Sequence, residues 1–142
     1  MGVTISCKKS GRSIDLGYFG FANLRRRVAR LAGEPFASHY DGLDAAPFFG
    51  EARKAYFEEF DRRTVELIDS KQVSVKIVDF CLQPDAGGSI RYGACKEILK
   101  IIGDYDDDIL YGYAGRRDCA KFKDFKAILQ DCADQKCDMV WR

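Results

Sequence analysis

Histidine is almost missing from this chain of 142 residues: His39 stands alone, as does Trp141, beside two methionines and three prolines. With one imidazole, a histidine-based metal site or a Ser-His-acid relay has little to draw on. Ser38 next to His39 reads as a surface pair, because sequence neighbours do not build a triad. No G-x-G-x-x-G and no P-loop occurs. The glycine-spaced Gly17-Tyr18-Phe19-Gly20 and Gly112-Tyr113-Ala114-Gly115 suit turns. No catalytic residue and no cofactor follow from the sequence. Long apolar runs are missing as well: nothing nears the ~18 residues of a membrane span, and residues 1–7 lack the apolar core of a signal sequence. The expectation is a cytosolic (cytoplasmic) chain without membrane association. Charge of one sign is also lacking, since 23 Lys+Arg against 22 Asp+Glu leave +1. That balance excludes the basic field of a general nucleic-acid binder and the acidity of a whole-molecule DNA mimic. Any electrostatic function is local.

Cysteine is not scarce. Cys7, Cys81, Cys95, Cys119, Cys132 and Cys137 would make three disulfides in a secreted protein, but a cytosolic chain keeps them as thiols. Cys81, Cys95 and Cys132 fall in register with apolar neighbours and read as small core residues. No C-x-x-C pair occurs, so a zinc site would need ligands from unrelated elements, and none is expected. Cys132 and Cys137 are close enough in sequence to meet after a helix end.

The length fits one globular domain over 1–142. Val3–Cys7 and Ser13–Tyr18, split by Lys8-Lys9-Ser10-Gly11-Arg12, read as a β-hairpin. Phe21, Leu24, Val28 and Leu31 define a helix ending at Gly33, with Arg25, Arg26 and Arg30 facing away. Glu34–Phe48 reads as a connection with at most one helical turn. Tyr56, Phe60, Thr64 and Leu67 mark a long helix over 50–69, expected at the centre of the packing. Val73-Ser74-Val75-Lys76-Ile77 alternates as a strand would, but Val73, Ile77, Val78, Phe80 and Cys81 also suit a helix, the favoured reading. Gln83–Ile90 has the turn of an EF-hand loop, but Gln83, Gly87 and Ala94 at ligand positions leave too few oxygens for calcium, so it reads as a helix-loop-helix joint. Cys95, Ile98, Leu99 and Ile102 give a helix stopped by Gly103. Ile109-Leu110-Tyr111 suits a brief strand or a core plug. Asp118 is placed to cap a last helix through Phe122, Phe125, Leu129 and Cys132. Met139-Val140-Trp141 can join the hairpin as a third strand. The predicted class is α+β: a small antiparallel β-sheet packed with about five helices.

Two constellations stand out. In Asp104-Tyr105-Asp106-Asp107-Asp108-Ile109-Leu110-Tyr111-Gly112-Tyr113-Ala114-Gly115-Arg116-Arg117-Asp118, carboxylates, tyrosines and arginines crowd one turn-rich connection. Loops carry such mixtures for recognition more often than for stability. Consecutive aspartates diverge and no Glu or His converges on them, so the segment reads as an acidic contact edge rather than a magnesium site. Asp104, Tyr105, Asp106, Asp107, Asp108, Tyr111, Tyr113, Arg116 and Arg117 are the candidate partner-binding residues. The alternative surface is a basic strip of Arg25, Arg26 and Arg30, with Arg27, Lys8, Lys9 and Arg12 nearby and Tyr18 and Phe19 as stacking faces for nucleic acid.

Through Ser13-Ile14-Asp15-Leu16-Gly17-Tyr18 with Phe21 and Leu24-Arg25, and through Asp106–Gly115 with Phe122-Lys123-Asp124-Phe125, most of the chain resembles small proteins of Firmicutes phages and mobile elements, a group without a named activity. The resemblance implies a setting in which small proteins lacking enzyme signatures often block host immune machinery, as anti-CRISPR proteins do. The leading expectation is a non-catalytic inhibitor of a host defence protein or nucleoprotein effector, such as Cas9 with its guide RNA. A nucleic-acid-binding regulator using the arginine strip, and a nucleotide-binding protein or small enzyme, are the alternatives.

Overall fold

Period-two alternation in the first residues produces the expected hairpin, and the computed structural model, which describes residues 2–112 and 119–142, builds a sheet on it. Strands β1 (Gly2–Cys7) and β2 (Ser13–Gly17) pair antiparallel with Val3 opposite Leu16 and Ile5 opposite Ile14. The closing segment forms β4 (Met139–Trp141), antiparallel to β1 with Ile5 opposite Trp141, as the sequence led one to expect. A further strand, β3 (Gly88–Ile90), flanks β4 and completes an open antiparallel sheet ordered β2-β1-β4-β3.

Strand β3 corrects the reading of 83–90 as a joint between helices. Three residues are too few to show alternation, and what holds them is tertiary. The Gln83 amide donates to the Ser89 carbonyl at 2.8 Å and accepts the Ser89 N–H at 3.2 Å, so a side chain occupies the sheet's edge in place of a fifth strand. A Cβ on Gly88 would overlap the indole of Trp141, so glycine is what lets β3 lie on that ring. The indole N–H donates to the Pro84 carbonyl at 3.0 Å.

Val3, Ile5, Cys7, Leu16, Ile90, Met139 and Trp141 are buried on one face of the sheet, and helices cover them. The described residues contain six α-helices rather than about five: α1 (Tyr18–Ala32), α2 (Phe36–Asp41), α3 (Gly50–Asp69), α4 (Val75–Leu82), α5 (Tyr92–Ile102) and α6 (Phe122–Gln135). The added helix is α2, which with a 3-10 turn over Gly42–Ala45 occupies the stretch read as a connection. Burial of Phe36 and Tyr40 against the core outweighs the turn-forming residues around them. Helix α3 is not central. Only Phe60, Thr64 and Leu67 of its 20 residues are buried, so it lies along the flank. The largest buried faces are those of α1 and α6, whose Phe21, Leu24 and Val28, and Phe122, Phe125, Ile128 and Leu129, belong to one core together with residues of α4 and α5. Phe80 stacks on Phe125 at 5.5 Å, and Trp141 lies 5.8 Å from both Phe21 and Phe80. Each such side chain contributes about 1.5–3 kcal/mol by burial.

Helix α6 begins at Phe122, with Lys121 in the capping position and its N–H held by Asp124 at 2.9 Å. Asp118, the expected cap, is too far upstream and lies outside the described residues. No helix among the described residues is long and apolar enough to cross a membrane.

Candidate functional site

Gly103 ends α5, and residues 104–112 follow it against Arg27 of α1 and Phe122 of α6. Within this run Asp107 is the organiser. Its Oδ2 accepts the Tyr105 hydroxyl at 3.1 Å and the Tyr111 hydroxyl at 2.9 Å, and lies 3.5 Å from Nε of Arg27 on α1. Its Oδ1 accepts the Ile109 N–H at 3.1 Å. The Tyr105 ring meets Phe122 edge-on at 5.4 Å, and Tyr111, 2% exposed, donates its N–H to the Ala120 carbonyl at 2.7 Å. Burial first, and then the bond to Asp107, push the Tyr111 phenol up to about 12. Lys126 adds hydrogen bonds to the Gly103 and Tyr105 carbonyls at 3.3 and 3.1 Å.

This arrangement divides the nine candidate contact residues. Tyr105, Asp107 and Tyr111 turn inward; of the Ile109-Leu110-Tyr111 run read as a brief strand or a core plug, Tyr111 alone enters the core, and it is not an outward anchor. The physical reason is local: a phenol finds a carboxylate two or four residues away while its ring packs on Phe122. Asp104, Asp106 and Asp108 remain exposed, and between them and the plug Ile109 and Leu110 stand 45% and 53% exposed. Leu110 makes an isolated bridge with Lys121. Tyr113, Arg116 and Arg117 lie outside the described residues.

The arginine strip is largely consumed by the fold. Arg25, expected to face solvent, is 4% exposed. It stands one turn after Phe21 on the same face, with its guanidinium 4.1 Å over the Phe21 ring and 5.4 Å from that of Trp141. Its Nη1 donates to Asp85 at 2.9 Å, whereas Nε and Nη2 are buried without an oxygen partner. Burial pulls its pKa down, against the opposing pull of Asp85. Arg26 is held by Asp41 at 3.1 Å and Asp44 at 2.8 Å. Of the three named arginines, Arg30 alone is exposed.

The two candidate surfaces adjoin. Gly20 sits directly against the Tyr111 backbone, where a Cβ would overlap the carbonyl oxygen. A groove of about 230 Å³ between helix and loop is lined by Asn23, Arg26, Arg27, Arg30, Ile109 and Tyr111. Phe19, one residue before the close approach, is 88% exposed. Phe48 and Phe49, not singled out from the sequence, are also exposed just before α3. Their signal was available, since two adjacent phenylalanines precede the α3 stripe without belonging to it.

His39 does not serve Ser38. Its ring stacks on Phe60 at 4.0 Å and its Nε2 is 2.7 Å from the Thr64 hydroxyl, while Ser38 donates to Glu34 at 2.8 Å. Burial pulls the imidazole pKa down. No protein-family model, no curated protein and no solved structure matches the chain.

Proposed function

We propose that this chain is a non-catalytic binding protein that inhibits a host defence effector by protein-protein contact. Its contact surface is the exposed part of the 104–110 loop together with the adjoining face of α1. The observation that carries this reading is the sorting of side chains by Asp107. Three carboxylates (Asp104, Asp106, Asp108) and two aliphatics (Ile109, Leu110) project from a loop whose own polar groups are satisfied internally. A loop tied down in this way loses little entropy on binding, and apolar residues rimmed by like charge suit a partner with a basic groove. Such grooves belong to proteins that handle nucleic acids. With the resemblance to phage and mobile-element proteins, the specific partner proposed is a nucleoprotein effector such as Cas9 loaded with guide RNA.

The regulator reading has less behind it. A phosphate would have to displace two carboxylates from Arg26, and Arg25 is inaccessible. Surface plasmon resonance against the loaded effector, with free DNA and RNA as parallel analytes, tests the proposal. Binding to the effector that is lost on replacing Ile109 and Leu110 by Ser, with the circular dichroism spectrum unchanged, is the expected result. Binding to free nucleic acid alone would refute it.

A further inference from the structure

Three cysteines far apart in sequence converge at the bottom of the sheet. Cys7 ends β1, Cys132 lies in the last turn of α6, and Cys137 precedes β4. Helix α6 stops at Lys136, whose backbone is left-handed (φ 52), and the Cys137 N–H then donates to the Cys132 carbonyl at 3.1 Å. That reversal folds Cys137 back over the helix end. Pairing of β1 with β4 sets Cys7 opposite Met139, two residues further on.

The three sulfurs lie within 4.8 Å of one another and are buried, although the Cys137 residue as a whole is half-exposed. The Cys7 and Cys137 sulfurs are 3.2 Å apart. Ligands about 2.3 Å from a tetrahedral zinc stand roughly 3.8 Å from each other, a spacing that sub-ångström side-chain shifts would give here. The Ser10 N–H points at the Cys7 sulfur at 3.4 Å, a donor that favours a thiolate. The Lys9 ammonium is tied to the Gln135 carbonyl at 3.4 Å, at the end of the helix that carries Cys132. A fourth thiol, Cys95 on α5, is a hydrogen-bond neighbour of Cys132.

We infer that Cys7, Cys132 and Cys137 form a binding site for a thiophilic metal ion of the Zn²⁺ class, tying β1, the end of α6 and the approach to β4 together. Spacing rules such as C-x-x-C do not see it, because each ligand comes from a different element. The site is separate from the 104–110 loop, and neither proposal depends on the other.

The test uses the full chain, reduced, freed of metal and titrated with Co²⁺. The expected result is a sulfur-to-cobalt charge-transfer band with tetrahedral d–d bands, saturating at a single equivalent, abolished by Zn²⁺ and accompanied by proton release. Cys137→Ser, at the half-exposed position where the fold has most to spare, should weaken binding by at least about tenfold, since even outer-shell changes cost that much. Cys119→Ser should leave it unchanged. Absence of the charge-transfer band in fully reduced protein, or a band indifferent to Cys137→Ser, would overturn the inference. So would air oxidation to a Cys7–Cys137 disulfide proceeding as fast with Zn²⁺ as without it.

Discussion

Arg27 and Asp107 face each other across the seam between α1 and the 104–112 loop, Nε to Oδ2 at 3.5 Å, with the Tyr105 and Tyr111 hydroxyls closing on the same oxygen. One carboxylate oxygen thus faces three donors while the other accepts the Ile109 N–H, and removing the group strands a buried phenol. Asp107→Ala should destabilise the protein by about 1–3 kcal/mol, the cost of a buried polar group left unpaired. Urea denaturation followed by circular dichroism measures it. A midpoint equal to that of the parent would mean that the loop is held by other contacts.

The outward carboxylates should behave differently. Replacing Asp104, Asp106 and Asp108 together by Asn is expected to leave stability within about 0.5 kcal/mol, as for ordinary surface changes. Association with the loaded effector should slow and lose much of its salt dependence, with little effect on dissociation. Kinetics at low and physiological salt separate the two effects. Equal association rates for the variant and the parent would remove these residues from the mechanism.

At the other end of the fold, Trp141→Ala should cost about 3–5 kcal/mol, since the indole fills the space between Phe21 and Phe80 and anchors the Pro84 carbonyl. Gly88→Ala should also destabilise, by forcing β3 off the ring. Combining the two should cost less than the sum of the single changes, because the clash disappears with the indole. Thermal melts of the three variants give the answer, and simple additivity would place Gly88 away from Trp141.

Arg25 and Asp85 form a pair buried on one side only, with Asp85 half-exposed. Arg25→Met keeps the contact with Phe21 and removes two buried nitrogens without partners, so it should be neutral or stabilising. Asp85→Ala leaves the guanidinium uncompensated and should be the more harmful change. The reverse order in denaturant midpoints would show that Arg25 is needed for its charge.

Alkaline pH should loosen the fold. Burial raises the Tyr40 and Tyr111 phenols from an ordinary 10.0 to about 12. An unfolded chain would lose these protons first, so stability is at its full value below about pH 10 and declines as pH rises through 12. Equilibrium unfolding across this window should show the decline, and Tyr111→Phe should flatten part of it.

Where one element's periodicity was complete, the sequence was readable. Val3, Ile5 and Cys7 alternate, Phe21-Leu24-Val28 step around a helix, and both patterns reappear as drawn. Met139-Val140-Trp141 is legible as a strand from its β-like composition, and it pairs with the hairpin. Arg25 was misplaced because its charge was allowed to outweigh its i+4 relation to Phe21. Ile109-Leu110-Tyr111 suits a strand or a plug and Tyr111 also suits a contact residue; tertiary packing buries Tyr111 alone and leaves Ile109 and Leu110 exposed. Strand β3 depends on Trp141, more than fifty residues away, and the thiol cluster on a turn that reverses the chain at Lys136. The five-residue spacing of Cys132 and Cys137 marks their half of the cluster, whereas β3 and the arrival of Cys7 leave no local trace.

The position of β4 between β1 and β3 also bears on how the molecule comes to be folded. Ile5 meets its partner Trp141 only by closing a loop of nearly the whole chain, and β3 has no neighbour in the sheet until β4 arrives. Helices α1 to α6 and the β1-β2 hairpin can form from local contacts, whereas joining β4 to β1 closes the longest loop and carries the largest loop-closure cost, the condition under which folding is slow. Until that step the hairpin presents an unpaired β1 edge to any other strand nearby, so the interval before closure is the one in which aggregation competes with folding.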